Sequence, residues 1–295
     1  MTTSERLGFI GLGTMGEPMC RNLARKTGRP VFATDPRPEP LRRLAAVGVT
    51  ACASVDQLAH HADVIFLSLP NGGDVEAVCA GDGGILGAGG RTSVVVDCGT
   101  SPLALTRSLA RRCAEVGIEF LDAPVARTRE AAEEGKLSIM VGAAPALFER
   151  VRPYLAAMGS DITRCGPVGS GQVVKLMNNM VLFETVGALA EALAIAESAG
   201  LDQVLLLEAL SKGSADSFAL RNHGMKAMLP GEFPENAFAA DYALKDLTYA
   251  LELAHDAGID AAGAEVAKAR LTEAIRRGYG RQYWPVLLKV VADRR

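Results

Sequence analysis

Residues 7–24 read LGFIGLGTMGEPMCRNLA: an apolar strand pattern, a Gly-x-Gly-x-x-Gly turn and the start of an amphipathic helix. The first two glycines of such a turn allow a tight bend and a close backbone approach to a diphosphate, and the third lets the helix pack near the strand. The amino end of the helix then faces the anion. The stretch therefore predicts the first strand-turn-helix unit of a dinucleotide-binding sheet. The cofactor contacts expected here are Gly11, Leu12, Gly13, Thr14, Met15 and Gly16.

An acidic residue, Asp35, ends the second predicted strand 19 residues after Gly16. A carboxylate at this position accepts hydrogen bonds from ribose hydroxyls and repels a 2′-phosphate, which favours NAD over NADP as the cofactor. Two alternatives remain open. Asp35 before Pro36 also suits a turn, and Arg37 could instead hold a 2′-phosphate.

The composition indicates one large or two ordinary globular domains, since the 295 residues are 49% hydrophobic. The net charge of -3 comes without a long run of one sign, so no nucleic-acid partner is expected. No stretch approaches 18 uncharged apolar residues and no secretory signal pattern opens the chain, which predicts a cytoplasmic protein without a membrane partner. The six cysteines and four histidines show no ligand spacing, so reduced thiols and no metal site are expected.

Short apolar runs alternate with amphipathic stretches through the first half of the chain. The predicted strands are RLGFIG, RPVFATD, ADVIFLSLP, SVVVDCGT, IEFLDAPV and LSIMVG. Strands that alternate with helices predict a doubly wound, parallel α/β sheet of the Rossmann type. From Val168 onward only helical patterns follow, at about 171–200, 202–212, 240–257, 261–277 and 283–292. We expect a dinucleotide-binding domain in residues 1–166 and an all-helical domain in residues 167–295.

The helix pattern SGQVVKLMNNMV, residues 170–181, carries Lys175, Asn178 and Asn179. Spacings of three and four residues place both amides on the side of the helix that carries the lysine. A lone lysine on a helix is more often a surface residue. Here, however, hydride transfer to a carbonyl would leave an alkoxide that needs a proton, and Lys175 could supply it. As a base in the oxidative direction the lysine needs a lowered pKa.

The chain resembles the β-hydroxyacid dehydrogenases, which include 3-hydroxyisobutyrate dehydrogenases and tartronate semialdehyde reductases. The resemblance covers nearly the whole chain, in family order and spacing. It rests on GFIGLGTMGEPM, SLPNGGDV, VDCGTSPLAL, FLDAPVARTREAAEEGKLSIMVG, GSGQVVKLMNNM and ALKDLTYALELA. It implies a Rossmann domain, a long interdomain helix and a helical domain that shapes the substrate site and builds homodimers or homotetramers.

The resemblance also implies residue roles. Lys175 would be the catalytic acid/base in an NAD-dependent oxidoreductase. The implied substrate contacts are Thr100, Ala126, Arg127, Thr128, Asn178, Asn179 and Asp246, and the further cofactor contacts are Leu69, Pro70, Asn71, Thr100 and Lys245. For Lys245 the alternative is an exposed pairing with Asp246 or Glu252.

Two segments depart from the family pattern. The usual Asp-x-Ser-Thr reads Asp97-Cys98-Gly99-Thr100, and the usual Ser-Gly-Gly after DAPV reads Ala126-Arg127-Thr128. A guanidinium offers a fixed fork of donors for a carboxylate or sulfonate, although an arginine in solvent is the commoner case.

The Arg-Thr variant is similar to the sulfolactaldehyde reductase branch of the family. It favours a small anionic substrate of the three-carbon sulfonate type, sulfolactaldehyde or dihydroxypropanesulfonate. Leu182 stands where that branch has a serine, so a carboxylate such as 3-hydroxyisobutyrate or tartronate semialdehyde remains an alternative. Two other classes stay open: an imine reductase, which usually lacks the lysine, and a catalytically silent NAD-binding protein.

Overall fold

The computed structural model describes residues 5–235 and 237–293. The chain divides into two compact units, Met1–Lys175 and Leu176–Arg295, and each has its own hydrophobic core. This division falls inside a long helix. The boundary expected between residues 166 and 167 stays a prediction about domain organisation.

The strands of the first unit form one sheet. In the part of the chain that the structure describes they are β1 (Leu7–Ile10), β2 (Val31–Thr34), β3 (Val49–Ala51), β4 (Val64–Leu67), β5 (Val94–Asp97), β6 (Glu119–Asp122), β7 (Val125–Ala126), β8 (Leu137–Gly142) and β9 (Gly159–Gly166). Their order is β3-β2-β1-β4-β5-β6-β8-β7, with β9 beside β8. The order reverses between β1 and β4, which confirms the predicted doubly wound fold and places the binding crevice at the carboxyl ends of these two strands.

The far side of the sheet differs from the expected all-parallel pairing. β8 runs antiparallel to both β6 and β7, and β9 runs parallel to β8. β7 runs in the same direction as β6, and the connection at residues 127–136, which contains the short helix Arg129–Glu134, then turns the chain back into β8. The loop that carries Arg127 lies within this antiparallel part.

Helices cover the sheet: α1 (Gly16–Thr27), α2 (Pro38–Ala45), α3 (Val55–His61), α4 (Gly72–Ala80), α5 (Leu103–Glu115), α6 (Arg129–Glu134) and α7 (Pro145–Met158). In β4, Val64 and Phe66 belong to the core on one face of the sheet. Ile65 and Leu67 belong to the core on the other face. Burial on both faces explains why the strands read as unbroken apolar runs in the sequence.

The second unit is helical in its described residues apart from one isolated bridge, Ala239 with Tyr283. It contains α8 (Ser170–Ser198, which starts in the first unit), α9 (Gln203–Leu210), α10 (Ala240–Asp256), α11 (Ala262–Ala274), α12 (Leu288–Ala292), the π-helices Leu220–Met228 and Ile275–Tyr279, and the 3-10 helix Trp284–Leu287. The predicted all-helical architecture is confirmed, and the π-helix Leu220–Met228 was not predicted.

By length and composition alone α8 could cross a membrane, with a hydropathy of 1.5 over an 18-residue window. Such a window is weak evidence, because the core helix of a globular unit has the same composition. Phe183, Val186 and Leu193 of α8 are buried in the core of the second unit. Its apolar composition therefore has a packing explanation.

Candidate active site

The turn between β1 and α1 has the geometry that a dinucleotide requires. Gly11 has a positive φ of 91°, and a Cβ there would overlap the Ser68 carbonyl oxygen. A Cβ at Gly16 would overlap the Gly11 carbonyl oxygen, so both positions require glycine. Gly13, in contrast, would direct a Cβ into open space. Its bare backbone faces outward, where a diphosphate can approach closely.

The amino end of α1 supports the same use. Met15 precedes the helix without a side-chain cap, so the first backbone N–H groups carry no competing carboxylate or hydroxyl. Thr14 is exposed beside them, while Leu12 is buried below the turn. The residues predicted from the sequence thus form one continuous anion-accepting turn.

Asp35 at the end of β2 is tied to this turn. Its Oδ2 accepts a hydrogen bond from the Leu12 backbone N–H at 2.6 Å. Its Oδ1 accepts from the Arg37 backbone N–H at 2.9 Å, which is the turn interaction left open as an alternative, and from Arg37 Nε at 2.9 Å. Burial raises the pKa of Asp35, but the hydrogen bonds from Arg37 and Leu12 outweigh burial and lower the pKa overall. The carboxylate is ionised and fixed next to the glycine turn.

Residues after β4 and β5 reach the same sheet edge, because β1, β4 and β5 are parallel neighbours. Leu69 lies against the Gly11 position, and Pro70 follows it in solvent. The Asn71 side chain caps α4 by accepting from the Asp74 N–H at 3.0 Å. Thr100 is half-buried in the loop after β5. The structure therefore brings the predicted cofactor residues of the first unit to one edge of the sheet.

Lys175 lies on α8, half-buried, at the end of the first unit. The helix runs on without interruption through Asn178 and Asn179, which confirms the helical spacing read from the sequence. With about 3.6 residues per turn, Lys175 lies about one turn before both amides. The lysine and the amides thus lie on one continuous helix.

Within the second unit, a chain of polar side chains joins α8 to α10. Asn178 Nδ2 donates to Asn179 Oδ1 at 3.1 Å, and Asn179 Nδ2 donates to Asp246 Oδ2 at 2.7 Å. Lys245 Nζ lies 3.0 Å from Asp246 Oδ1 and 5.3 Å from the Tyr249 ring centroid. Asn179 and Asp246 are buried, at 2% and 3% exposed. The pairing of Lys245 with Asp246, open as an alternative to a cofactor contact, is present.

The side chains of Arg127 and Thr128, which are predicted substrate contacts, have partners of their own in this structure. The Arg127 guanidinium lies 2.8 Å from Asp161 Oδ2 and donates to Ser160 Oγ at 3.0 Å and to the Lys136 carbonyl oxygen at 2.7 Å. Hydrogen bonds from Ser160 and Arg127 lower the pKa of Asp161. The Thr128 hydroxyl caps α6 by accepting from the Ala131 backbone N–H at 3.3 Å. Both side chains have partners inside the first unit.

Arg127 also has a positive φ of 88°, alone among the described residues other than glycine. This is the backbone region that glycine adopts without strain. The loop after β7 therefore keeps a glycine-like path, and Ala126 remains half-buried at the strand end.

Sequence reasoning missed a buried polar network at the start of α8. It consists of Asp97, Ser101, Asp122 and Gln172, each 1% exposed or less. Part of the signal was present, since IEFLD and SVVVD each put an aspartate at the end of an apolar run. Their common location could not be read from one sequence.

Comparison with known proteins agrees with this geometry. Residues 6–166 match the family described as the NAD binding domain of 6-phosphogluconate dehydrogenase, and residues 169–289 match the family described as NAD-binding of NADP-dependent 3-hydroxyisobutyrate dehydrogenase. The chain is 37% identical over 290 residues to the 2-(hydroxymethyl)glutarate dehydrogenase of Eubacterium barkeri, which covers 98% of this chain and 96% of that protein.

Two further relatives cover most of the chain. The 2-hydroxy-3-oxopropionate reductase of Escherichia coli strain K12 is 37% identical over 249 residues, 84% of each protein. The solved structure of Mycobacterium tuberculosis 3-hydroxyisobutyrate dehydrogenase with L-serine has a TM-score of 0.87 and 28% identity, covering 99% of this chain and 100% of that one.

A Rossmann unit with a glycine turn, followed by a helical unit, defines an oxidoreductase that uses a nicotinamide dinucleotide. The chain belongs to the β-hydroxyacid dehydrogenase family, and it is a dehydrogenase or reductase of hydroxy acids.

Proposed function

We propose that this enzyme interconverts a short β-hydroxy carboxylic acid and its semialdehyde, with Lys175 as the acid/base. The observation that carries the proposal is the single uninterrupted helix that places Lys175 one turn before Asn178 and Asn179, in a chain whose first unit also holds a glycine turn suited to a dinucleotide. A nicotinamide cofactor supplies the hydride acceptor and donor. The protein must then move one proton at the substrate oxygen.

Lys175 performs this proton transfer in the proposed mechanism. In oxidation its neutral ε-amino group takes the proton of the substrate hydroxyl, and in reduction its ammonium form returns the proton to the nascent alkoxide. Thr100, Asn178 and Asn179 hold the substrate through hydrogen bonds. Asp246 keeps the Asn179 amide oriented through their 2.7 Å hydrogen bond. Oxidation should therefore speed up as the pH rises, and reduction should slow down.

A carboxylate is the anionic head group that the loop after β7 fits best. The positive φ of Arg127 gives the backbone at that residue a glycine-like conformation, and the guanidinium pairs with Asp161. Backbone N–H groups then supply the donors for the head group. The named activities of the relatives, 2-(hydroxymethyl)glutarate dehydrogenase and 2-hydroxy-3-oxopropionate reductase, agree with a carboxylate substrate.

The test is a Lys175→Met variant assayed by NADH absorbance with 2-(hydroxymethyl)glutarate, 3-hydroxyisobutyrate and 2-hydroxy-3-oxopropionate. We expect kcat to fall by about 10²- to 10⁴-fold, the usual contribution of a general acid/base, with NADH binding unchanged. Lys268→Met on α11 is the matched control and should keep wild-type turnover. Full turnover by Lys175→Met refutes the lysine mechanism. NADH binding without turnover of any hydroxy acid by the wild type favours a silent dinucleotide-binding protein.

A sulfonate is the second candidate head group, because the Arg127 side chain is 40% exposed and pairs with an Asp161 side chain that is 57% exposed. Exposed ion pairs of this kind are weak and exchange readily. If Arg127 turns to a sulfonate, Arg127→Gly raises the KM for dihydroxypropanesulfonate far more than the KM for 3-hydroxyisobutyrate. Equal effects on both substrates exclude sulfonate selectivity.

We also propose NAD as the preferred cofactor, because the ionised Asp35 carboxylate beside the glycine turn repels a 2′-phosphate. Leu69, Pro70, Asn71, Thr100 and Lys245 are proposed as further cofactor contacts. We place the enzyme in the cytoplasm as a homodimer or homotetramer, without nucleic-acid or membrane partners.

A further inference from the structure

Asp122, at the carboxyl end of β6, has no role in binding or proton transfer as described so far. Its side chain is 0% exposed. Its Oδ1 accepts a hydrogen bond from the Gly169 backbone N–H at 2.6 Å, and its Oδ2 accepts from the Gln172 backbone N–H at 2.8 Å. Both donors lie at the start of α8, where N–H groups have no partner within the helix. Asp122 is therefore a buried carboxylate cap on the helix that carries Lys175, oriented favourably to the helix dipole.

The surroundings of Asp122 are shaped for this one side chain. A Cβ on Gly142 of β8 would overlap the Asp122 carboxylate, and a Cβ on Gly171 would lie 2.8 Å from Asp122 Oδ2. These two glycines let the strand and the helix close directly onto the carboxylate. Neither a longer acid at residue 122 nor a larger residue at 142 or 171 fits without movement of the backbone.

Gln172 connects the same helix start to the loop after β5. Its fully buried side chain accepts from the Ser101 backbone N–H at 3.1 Å and donates to the Gly99 carbonyl oxygen at 3.0 Å. From the other side, Asp97 accepts from the Gly99 N–H at 2.9 Å and from Ser101 Oγ at 2.8 Å. The loop on both sides of Thr100 is thereby fixed to the first turn of α8.

We propose that Asp122 is a positioning residue for the reaction: with Gln172 it locks the first turn of α8 to the loop at residues 99–101, and so sets where the Lys175 ammonium stands relative to Thr100. The proposal rests on the acid/base function proposed for Lys175. Lys175 follows Gln172 by three residues, about one helical turn. A small rotation of an uncapped first turn would therefore move the ε-amino group. Misplacement of a reacting group by about 1 Å can cost about 100-fold in rate.

The hydrogen bonds that Asp122 accepts at the start of α8 should depend on pH. Burial raises the pKa of Asp122 to about 6, against the opposing effect of the hydrogen bonds from Gly169 and Gln172. Asp97 on the neighbouring strand raises the pKa further, and the Cys165 thiol of β9 also faces Asp122. Protonation removes one acceptor from the helix start. In the reductive direction Lys175 acts as an ammonium ion, which persists at low pH, so a fall in kcat below about pH 6 reports on Asp122 and not on the lysine.

The experiment compares wild type, Asp122→Asn and Gln172→Ala with the control Asp202→Asn. Asp202 caps α9 by accepting from the Leu205 N–H at 2.9 Å, so its variant makes the same chemical change on a helix without the lysine. Three quantities are measured: kcat for semialdehyde reduction between pH 5 and 8, the Kd for NADH, and amide hydrogen exchange in peptides that span residues 167–176.

We expect Asp122→Asn to lower kcat at pH 7 by about 10- to 100-fold. The NADH Kd should stay within about threefold, and the acidic fall in kcat should disappear. Exchange at the start of α8 should accelerate about 10-fold, because an asparagine has only one acceptor oxygen and turns its NH₂ toward a backbone N–H. Gln172→Ala should lower kcat in the same way, and Asp202→Asn should match wild type in all three measurements.

Three results overturn the proposal: unchanged kcat in Asp122→Asn, an acidic limb that persists in that variant, or exchange at residues 167–176 that does not accelerate. A wild-type enzyme that reduces no semialdehyde refutes the proposed function separately. The exchange measurement alone then decides whether Asp122 holds the start of α8.

Discussion

Arg127 has a backbone conformation that its side chain disfavours. A non-glycine residue with positive φ costs about 1–2 kcal/mol relative to the right-handed regions, and Arg127 has a φ of 88°. Its pairing with Asp161 lies in solvent, where screening leaves an ion pair with little effect on stability. The backbone path is therefore imposed by the rest of the loop, including the cap that Thr128 provides for α6.

A comparison of two variants separates the backbone from the guanidinium. Arg127→Ala and Arg127→Gly both remove the ion pair with Asp161, but only glycine removes the conformational cost. We expect Arg127→Gly to be more stable than Arg127→Ala by about 0.5–1 kcal/mol, after allowance for the greater freedom of glycine in the unfolded chain. Urea unfolding of the two variants measures the difference. Equal midpoints would show that residue 127 relaxes to a negative φ in the alanine variant.

The sequence indicated which polar residues belong to the candidate site, but it did not indicate which residues they contact. Lys175, Asn178 and Asn179 were found because their spacing is set within one helix. The partner of Arg127 could not be found this way, since Asp161 lies 34 residues away on a strand that was not predicted. The role of Asp122 was missed for a similar reason. Its partners are backbone N–H groups, which every residue except proline has, so the residue types do not identify them.

Strands were predictable where both of their faces are buried. β1, β4 and β5 are buried along their whole length and read as plain apolar runs. β9 lies beside β8 with most of its residues exposed or half-buried, so GSDITRCG shows neither an apolar run nor an alternation. β3 has three residues with only Val49 buried. β3 and β9 are strands because they pair with β2 and β8, and this pairing cannot be predicted from the residues of β3 and β9 alone.

The π-helix Leu220–Met228 buries a histidine in the second unit. His223 shares a 2.6 Å hydrogen bond with the Tyr283 hydroxyl through Nδ1 and lies against the Trp284 ring. Burial lowers the pKa of His223 to about 4. The folded state holds the imidazole neutral, whereas the unfolded chain protonates it near pH 6.5.

This burial predicts an acid-sensitive helical unit. Between about pH 6.5 and pH 4 the unfolded chain binds a proton that folded His223 does not, so stability falls as the pH falls, by about 3 kcal/mol in total. Thermal unfolding from pH 7.5 to 4.5 should show a shallower fall for His223→Gln than for wild type. His255→Gln, at a 91% exposed side chain, is the control. The raised pKa of Asp122 makes stability rise as the pH falls, which is the opposite effect. Because this contribution is the same in wild type and in both variants, it cancels in the comparison. Identical pH profiles for His223→Gln and wild type would contradict the assignment.

Each unit presents a different surface to its surroundings. The first unit places the loops after β1, β4 and β5 at one sheet edge, where its proposed cofactor contacts gather. The second leaves apolar side chains exposed along α8, where Val181 and Ile195 are 60% and 68% exposed. With the exposed Ala188 between them they repeat at a spacing of seven residues, which places all three on one side of the helix. An apolar stripe of this kind is typical of a helix that packs against another protein surface.

The stripe Val181, Ala188 and Ile195 predicts where the proposed homo-oligomer forms. A glutamate at Val181 or Ile195 would bury a charge in a contact between two copies, which costs several kcal/mol without a partner charge. We expect Val181→Glu and Ile195→Glu to sediment as smaller species than wild type at the same micromolar concentration, with the helical content of each chain unchanged. Val116→Glu, at a 53% exposed valine of the first unit, is the matched control and should keep the wild-type mass. If the α8 variants keep the wild-type mass, or wild type itself sediments as a monomer, α8 is not the contact surface.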